Sequence, residues 1–278
     1  MGTGSMALED REVKVSAGDM RWAFRSGEHV CWLVRSGAEY AAGERELLAR
    51  AAHAGDSVMI VGNRVRTRHH TPGAARDVDL DVRVGARGPA VLEVMREQAH
   101  SVGRAGRGLR ILAQMEHLAP PDARLEDLIA CEMDVAELAG RASTSVVCAY
   151  RHSAWRREML SGVGAVHSRL VGAVTEAVPG FRIVRAGADA WALHGAIGYE
   201  AAGSFAAALR ALLARSAQLR LDCAQLELID AAGWQALIGA ATGAPGALVL
   251  LERVNETVAA AWRLSGYDEA TTRVRVRS

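Results

Sequence analysis

Short unbroken apolar runs alternate along the chain with longer stretches in which apolar residues recur every three or four positions. The first run, Glu28 to Val34, is bounded by Gly27 and Gly37 and predicts a buried strand. A helix is expected from Tyr40 to His53, punctuated by Gly55-Asp56, and a strand from Ser57 to Val61, closed by Gly62. Residues 63 to 90 are rich in Arg, Asp and Gly and predict a loop, with a strand at Val78 to Val84. Then follow a helix from Ala90 to Val102, a strand from Leu109 to Leu112, a helix from Leu125 to Leu138 and an apolar strand from Ser145 to Tyr150. A last helix is expected from Arg156 to Val178, where Met159, Val163, Val166, Leu170 and Val174 mark one buried face. Strands alternating with helices imply crossover connections, hence an α/β fold whose mostly parallel sheet carries helices on both faces.

Pro179-Gly180 breaks this pattern, and beyond it the alternation restarts. Strands are expected at Phe181 to Val184, Ala190 to Leu193, Leu219 to Leu221 and Ala247 to Leu251. Helices are expected at Tyr199 to Arg215, Ala232 to Ala241 and Glu256 to Leu264. The expected organisation is a tag-derived or disordered start over residues 1–15, a first domain over 16–180 and a second, smaller one over 181–278.

Composition narrows the class. Half of the 278 residues are hydrophobic and 23% are charged, as in a globular protein with a sizeable core. No apolar run reaches the ~18 residues of a membrane span, and no N-terminal stretch resembles a secretory signal. Four cysteines, at positions 31, 131, 148 and 223, are too sparse for a disulfide framework, so reduced thiols and a cytoplasmic location are expected. The formal net charge of +1 gives no bulk electrostatic case for nucleic acid. The basic segment Asn63 to His70 is followed by Asp77, Asp79 and Asp81, which offset its charge, so it reads as a solvated loop. The alternating aspartates lack the Gly and distal Glu of a calcium loop and read as an exposed strand edge. Lys14 is the sole lysine and no Gly-Lys pair follows an early strand, which excludes an ATP site of the Walker type.

Candidate chemistry lies in the first half. Alternate residues of a strand share a face, so His29 and Cys31 point one way, as do Cys148 and Tyr150. Ligands of open parallel sheets bind beyond the carboxyl ends of strands, where His29, Cys31, Glu116, Cys148, Tyr150 and His167 are expected to gather. Three readings stand side by side: a pocket for a small organic ligand, a metal or redox site, and a plain buried core. Imidazole and thiolate suit zinc or another soft divalent ion, which His29, Cys31, Cys148 and His167 would hold. The spacing is His-x-Cys, without the paired Cys-x-x-Cys of a structural zinc site. A Cys–His nucleophile pair would need an oxyanion motif that does not accompany it, so no enzymatic activity is expected.

Two resemblances extend this. Leu219-Arg220-Leu221-Asp222, Leu193-His194-Gly195 and the stretch from Leu228-Ile229-Asp230 through Ala231-Ala232-Gly233-Trp234 to Leu237 resemble the STAS domain of anti-sigma-factor antagonists. The resemblance implies a four-stranded sheet with helices, and binding of an anti-sigma factor of serine-kinase type through Asp230, Ala231, Ala232 and Gly233. In that family a hydroxyl residue follows the Asp and phosphorylation releases the partner. Here Ala231 and Ala232 offer none, and the segment reads otherwise as a helix N-cap with small packing residues. In the first half, Gly27 to Leu33, Leu109 to Glu116, Leu128-Ile129-Ala130-Cys131-Glu132, Val146 to Tyr150, Met159-Leu160 and Val166-His167-Ser168 resemble in order the segments of the MEDS (methanogen/methylotroph sensory) domain.

The MEDS resemblance implies a degenerate RecA-like sheet and a small-molecule site built from His29, Cys31, Glu116, Glu132, Cys148, Tyr150 and His167. Cys131, Ser168 and Ala136 depart from it, standing where Tyr, Pro and Asn are usual. Together the resemblances imply a cytoplasmic sensor whose ligand-binding half governs a partner-binding STAS half, with no role for nucleic acid or membrane. Occupancy of the first half would reach the second through the helix Arg156 to Val178. The alternative is a small-molecule- or metal-binding protein, or an enzyme, in which the STAS half only packs or forms a homodimer.

Overall fold

The structure, a computed structural model, describes residues 26–62, 64–71, 74–83, 89–140, 143–172, 178–187, 190–267 and 273–277. The expected start over residues 1–15 lies outside them. In chain order the first half runs β1 (His29–Val34), α1 (Gly37–Ala54), β2 (Ser57–Val61), β3 (Arg64–Thr71), β4 (Ala74–Arg83), α2 (Pro89–Arg104) and β5 (Leu109–Gln114). It continues with α3 (Met115–Leu118), α4 (Leu125–Ala139), β6 (Thr144–Arg151), α5 (Arg157–Gly164) and β7 (Arg169–Gly172). The second half runs β8 (Phe181–Arg185), β9 (Ala190–Ile197), α6 (Tyr199–Leu213), β10 (Gln218–Ile229), α7 (Ala231–Gly243), β11 (Leu248–Glu252), α8 (Glu256–Leu264) and β12 (Val274–Val276).

The first sheet has the order β4-β3-β2-β5-β6-β1-β7. Five of its strands are parallel, as the alternating pattern requires, and β3–β4 adds an antiparallel hairpin at one edge. The segment read as a basic loop is therefore strand. Alternating β-branched residues such as Val65 and Thr67 suit a strand, and β2 offers an edge on which to pair. The aspartates at 77, 79 and 81 lie on the outermost strand, β4. All six residues of β1 are buried, because it lies inside the sheet with helices on either side. Leu47 and Ala51 of α1 cover the face of Val30 and Trp32, while α2, α4 and α5 cover that of Cys31 and Leu33. Ser36 caps α1 by accepting from Glu39 N at 3.1 Å, and Gly55, at φ 72°, ends it.

The second sheet has the order β12-β11-β10-β9-β8. Short β12 is a fifth strand beside the four expected, paired in parallel on β11. Gly195 has a φ of 79°, and a Cβ there would lie 2.5 Å from Gly180 O, so the β8–β9 pairing admits only glycine at this position. No helix among the described residues is long and apolar enough to cross a membrane.

The helix expected from Arg156 to Val178 is not continuous. It stops at Gly164, and Arg169–Gly172 instead pairs in parallel with β1. Gly162, Gly164 and β-branched Val166 weaken helix propensity there, and the open edge of β1 supplies ladder hydrogen bonds in exchange. The joint between the halves is α4. Leu128, Val135 and Ala139 on one stripe enter the core of the first sheet. Ile129, Met133 and Ala136 on the other enter the core of the second, with Phe181, Phe205 and Leu209. Polar contacts reinforce it. Arg215 donates to Ala130 O at 3.0 Å and pairs with Asp134 at 2.8 Å, Arg210 pairs with Glu126, and Ile183 N donates to Ala165 O at 2.8 Å.

Because Met133 is fully buried in the second core while its helix belongs to the first, Met133→Ala should destabilise both halves together. The expected loss is about 2–5 kcal/mol, read as one cooperative urea transition by circular dichroism. Two separate transitions, only one of them shifted, would show the halves to be merely tethered.

Candidate functional site

Glu132 sits in the middle of α4 with no exposure, turned toward the sheet. A carboxylate in such a place needs partners, since burying an unpaired charge is prohibitive. Three other segments supply them. His29, the first residue of β1, places Nε2 2.9 Å from Glu132 Oε2. Cys148, from the middle of β6, donates its thiol to the same oxygen at 3.2 Å and lies 3.3 Å from His29 Nε2. His167, in the turn before β7, brings Nε2 to 3.3 Å from Oε2. Tyr150 OH donates to the second oxygen, Oε1. The two imidazole rings lie face to face, centroids 3.9 Å apart and tilted by 32°.

The electrostatics follow from burial and these contacts. Burial pushes the Glu132 carboxyl up, but the neighbouring His167 and His29 outweigh it, and the net direction is down. Burial, aided by the neighbouring His167, lowers His29 to about 4, so it is neutral near pH 7. Burial and the Glu132 charge push the thiols of Cys148 and Cys31 well up, which opposes a free thiolate nucleophile. His167 Nδ1 donates to Val163 O at 2.6 Å, which fixes the ring and leaves Nε2 turned into the cluster.

The sequence expectation of a single pocket at the strand carboxyl ends divides in two. His29, Glu132, Cys148, Tyr150 and His167 do meet, but inside the core, because His29 opens β1 and so stands at its amino end. Cys31 is opposite Cys148 in the ladder yet outside the group of converging donors. It lies two residues along β1 from His29, about 6.6 Å of strand rise away.

Glu116 is elsewhere. It lies in α3, beyond the carboxyl end of β5, where Oε1 accepts from Arg151 N at 2.7 Å and Trp155 Nε1 at 3.3 Å. There it lines a cleft of about 220 Å³ with Val34, Ser36, Gly37, Tyr40, Gln114, Ala149 and Arg151. The chain leaves β1 for β2 in one direction and leaves β6 for β7 in the other, so the cleft stands at a topological switch point. Sequence reasoning missed Ser36, Gly37, Tyr40, Gln114 and Arg151. Their signal was the two-residue step from β1 into α1, which is where such a cleft opens. Cleft and core cluster are joined by side chains: Trp155 stands edge-on to Tyr150, ring centroids 5.2 Å apart, and Tyr150 holds Glu132.

In the second half Asp230 caps α7, accepting from Gly233 N at 2.9 Å, and also accepts from Tyr199 N at 3.0 Å at the start of α6. Ala231 is exposed and Ala232 half-buried. Gly233 is buried, and a Cβ on it would lie 2.9 Å from Ile197 O, so its role in the fold is close packing.

Residues 28–168 match the family described as MEthanogen/methylotroph, DcmR Sensory domain, and residues 185–275 match that described as Mlab, STAS domain. None of the curated proteins compared with the chain matches it.

Removing the carboxylate strands four polar groups in the core, so Glu132→Ala should cost about 3–5 kcal/mol in urea unfolding. Tyr150→Phe, which deletes one hydrogen bond to a charge, should cost about 1.5–3 kcal/mol. A loss below about 1 kcal/mol for Glu132→Ala would show that the cluster contributes little to holding α4 in place.

Proposed function

The chain belongs to the MEDS family of sensory domains and carries a STAS domain after it, and from this we propose that it is a non-enzymatic regulator in which a small ligand in the first half sets the partner affinity of the second. The observation that carries the reading is the double use of α4. One of its stripes holds Glu132 among the polar cluster, and the other is core to the STAS half. The ligand would enter the switch-point cleft, whose size suits a small organic molecule with a polar group for Glu116, Gln114 or Arg151. Its effect would pass from Glu116 through Trp155 and Tyr150 to Glu132, and with α4 to α6. The second link is the turn Ala165 to Ser168, which accepts from Ile183 N and from Arg182 at 3.1 Å. A ligand shifts such an equilibrium only by its difference in affinity for the two arrangements.

For the partner we infer an anti-sigma factor, bound at the surface around the start of α7 where STAS domains of antagonists bind theirs. Control by ligand suits this chain because Ala231 and Ala232 leave a kinase no hydroxyl at that surface.

Thermal-shift screening of small oxygen- and nitrogen-bearing organic compounds tests the sensor. A compound that stabilises the full chain should lose its effect in Gly37→Trp, since a side chain on Gly37 meets open space and would fill the cleft. The same compound should alter hydrogen exchange in α4 and α6 and change partner affinity about 5- to 150-fold. Equal partner affinity with and without saturating compound would reduce the STAS half to a packing module.

Incubation with an anti-sigma kinase and ATP should leave the start of α7 unmodified, and Ala231→Ser should make it a phosphate acceptor that loses the partner. A variant that binds the kinase unmodified, or never binds it, would count against an antagonist-like surface.

A further inference from the structure

Four residues converge in the core: His29, Glu132, Cys148 and His167 each turn one possible ligand atom into a group whose atoms all lie within 4.8 Å of one another. The separations around Glu132 Oε2 are 2.9, 3.2 and 3.3 Å, and that between His29 Nε2 and Cys148 Sγ is 3.3 Å. A tetrahedral zinc with bonds of about 2.0–2.3 Å has ligand-to-ligand edges of roughly 3.3–3.6 Å. These four separations are close to, or a little below, the edges of such a tetrahedron. Hydrogen bonding alone does not account for it. A carbonyl can only accept, so Nδ1 of His167 carries a proton toward Val163 O, and Nε2 is the ring atom turned to the carboxylate. Nε2 of His167 has no hydrogen-bond partner, although the residue is fully buried. A cation between this nitrogen and the carboxylate oxygen, 3.3 Å apart, would satisfy both.

We propose that His29, Glu132, Cys148 and His167 form the binding site of a single divalent transition-metal ion, of which zinc best fits the donors. Two neutral imidazoles, one carboxylate and one thiolate balance the two positive charges of the ion, so the filled site is neutral, as its burial requires. Filling it replaces the S–H bond of Cys148 with a metal–sulfur bond and releases one proton. The bond from His167 Nδ1 to Val163 O is the kind of outer contact that orients a metal-bound imidazole, and Tyr150 does the same for the carboxylate. The ligands come from β1, α4, β6 and the turn before β7, so the ion would clamp α4 and the Ala165 to Ser168 turn, the two segments that touch the STAS half. This goes beyond the small-molecule reading and is independent of the cleft.

The full chain, stripped with chelator and titrated with Co2+ and Zn2+, tests it. The expected result is one ion per chain, with a thiolate-to-cobalt charge-transfer band in the near ultraviolet. Cys148→Ser should abolish the band while circular dichroism shows a folded protein. His167→Ala should weaken binding at least ~100-fold, beyond the 10–100-fold that loss of an outer-shell partner costs. Cys31→Ala, outside the donor set, should keep both stoichiometry and band, and so should the cleft-filling Gly37→Trp, which separates this site from the ligand cleft. Should His167→Ala not fold, the Cys148→Ser spectrum decides. A folded wild-type chain that takes up neither ion, or a cobalt band that survives Cys148→Ser, would overturn the proposal.

Discussion

The rest of the structure depends on one buried carboxylate. Glu132 has no contact with solvent, and its two oxygens are served by His29, Cys148, His167 and Tyr150. These residues come from strands and a turn widely separated in the chain, with His29 and Glu132 103 residues apart. An ionised group in the core is tolerable only where all of them arrive together, so the cluster fixes the register of β1 against β6 and the rotation of α4 upon both. A leucine at 132 would fill space in any of several orientations of the helix; a glutamate accepts one.

That rotation has a consequence for the second half. With Glu132 turned to the sheet, the stripe of Ile129, Met133 and Ala136 must face away from it, and there it completes the core around Phe205 and Leu209. The two halves therefore share a helix and are not joined by the linker alone. Arg215 and Ile183 add hydrogen bonds to groups on α4 and on the turn after α5, and these orient the contact. A change at the cluster would meet the STAS half in two places, by packing through α4 and by backbone through Ala165.

Cleft and cluster lie close and are chemically unlike. The cleft opens to solvent between the diverging connections of β1 and β6 and offers Glu116, Gln114 and Arg151 to a visitor. The cluster is buried and brings two imidazoles, a thiol and a carboxylate together. Trp155 and Tyr150 bridge the two, one side chain hydrogen-bonded to Glu116 and the other to Glu132.

The sequence by itself determined most of the strands and helices and the two families, because hydrophobic period and local motifs are written within ten or fifteen residues. Ser57–Val61 and Glu256–Leu264 stand in the structure where periodicity places them. It also named the chemistry-bearing residues, since His, Cys, Glu and Tyr in buried-looking segments need a reason to be there. What it left open was proximity. The helix expected through Val178 ends early because Arg169–Gly172 finds a strand edge on β1, a pairing between residues 139 apart that no local window contains. The basic segment became the hairpin β3–β4 for the same reason, an edge on β2. Only the fold decided that Glu116 and Cys31 stand apart from the cluster while Glu132 becomes its centre. The position of a side chain along a strand, and so which end of the sheet it reaches, follows from where the strand begins relative to its neighbours.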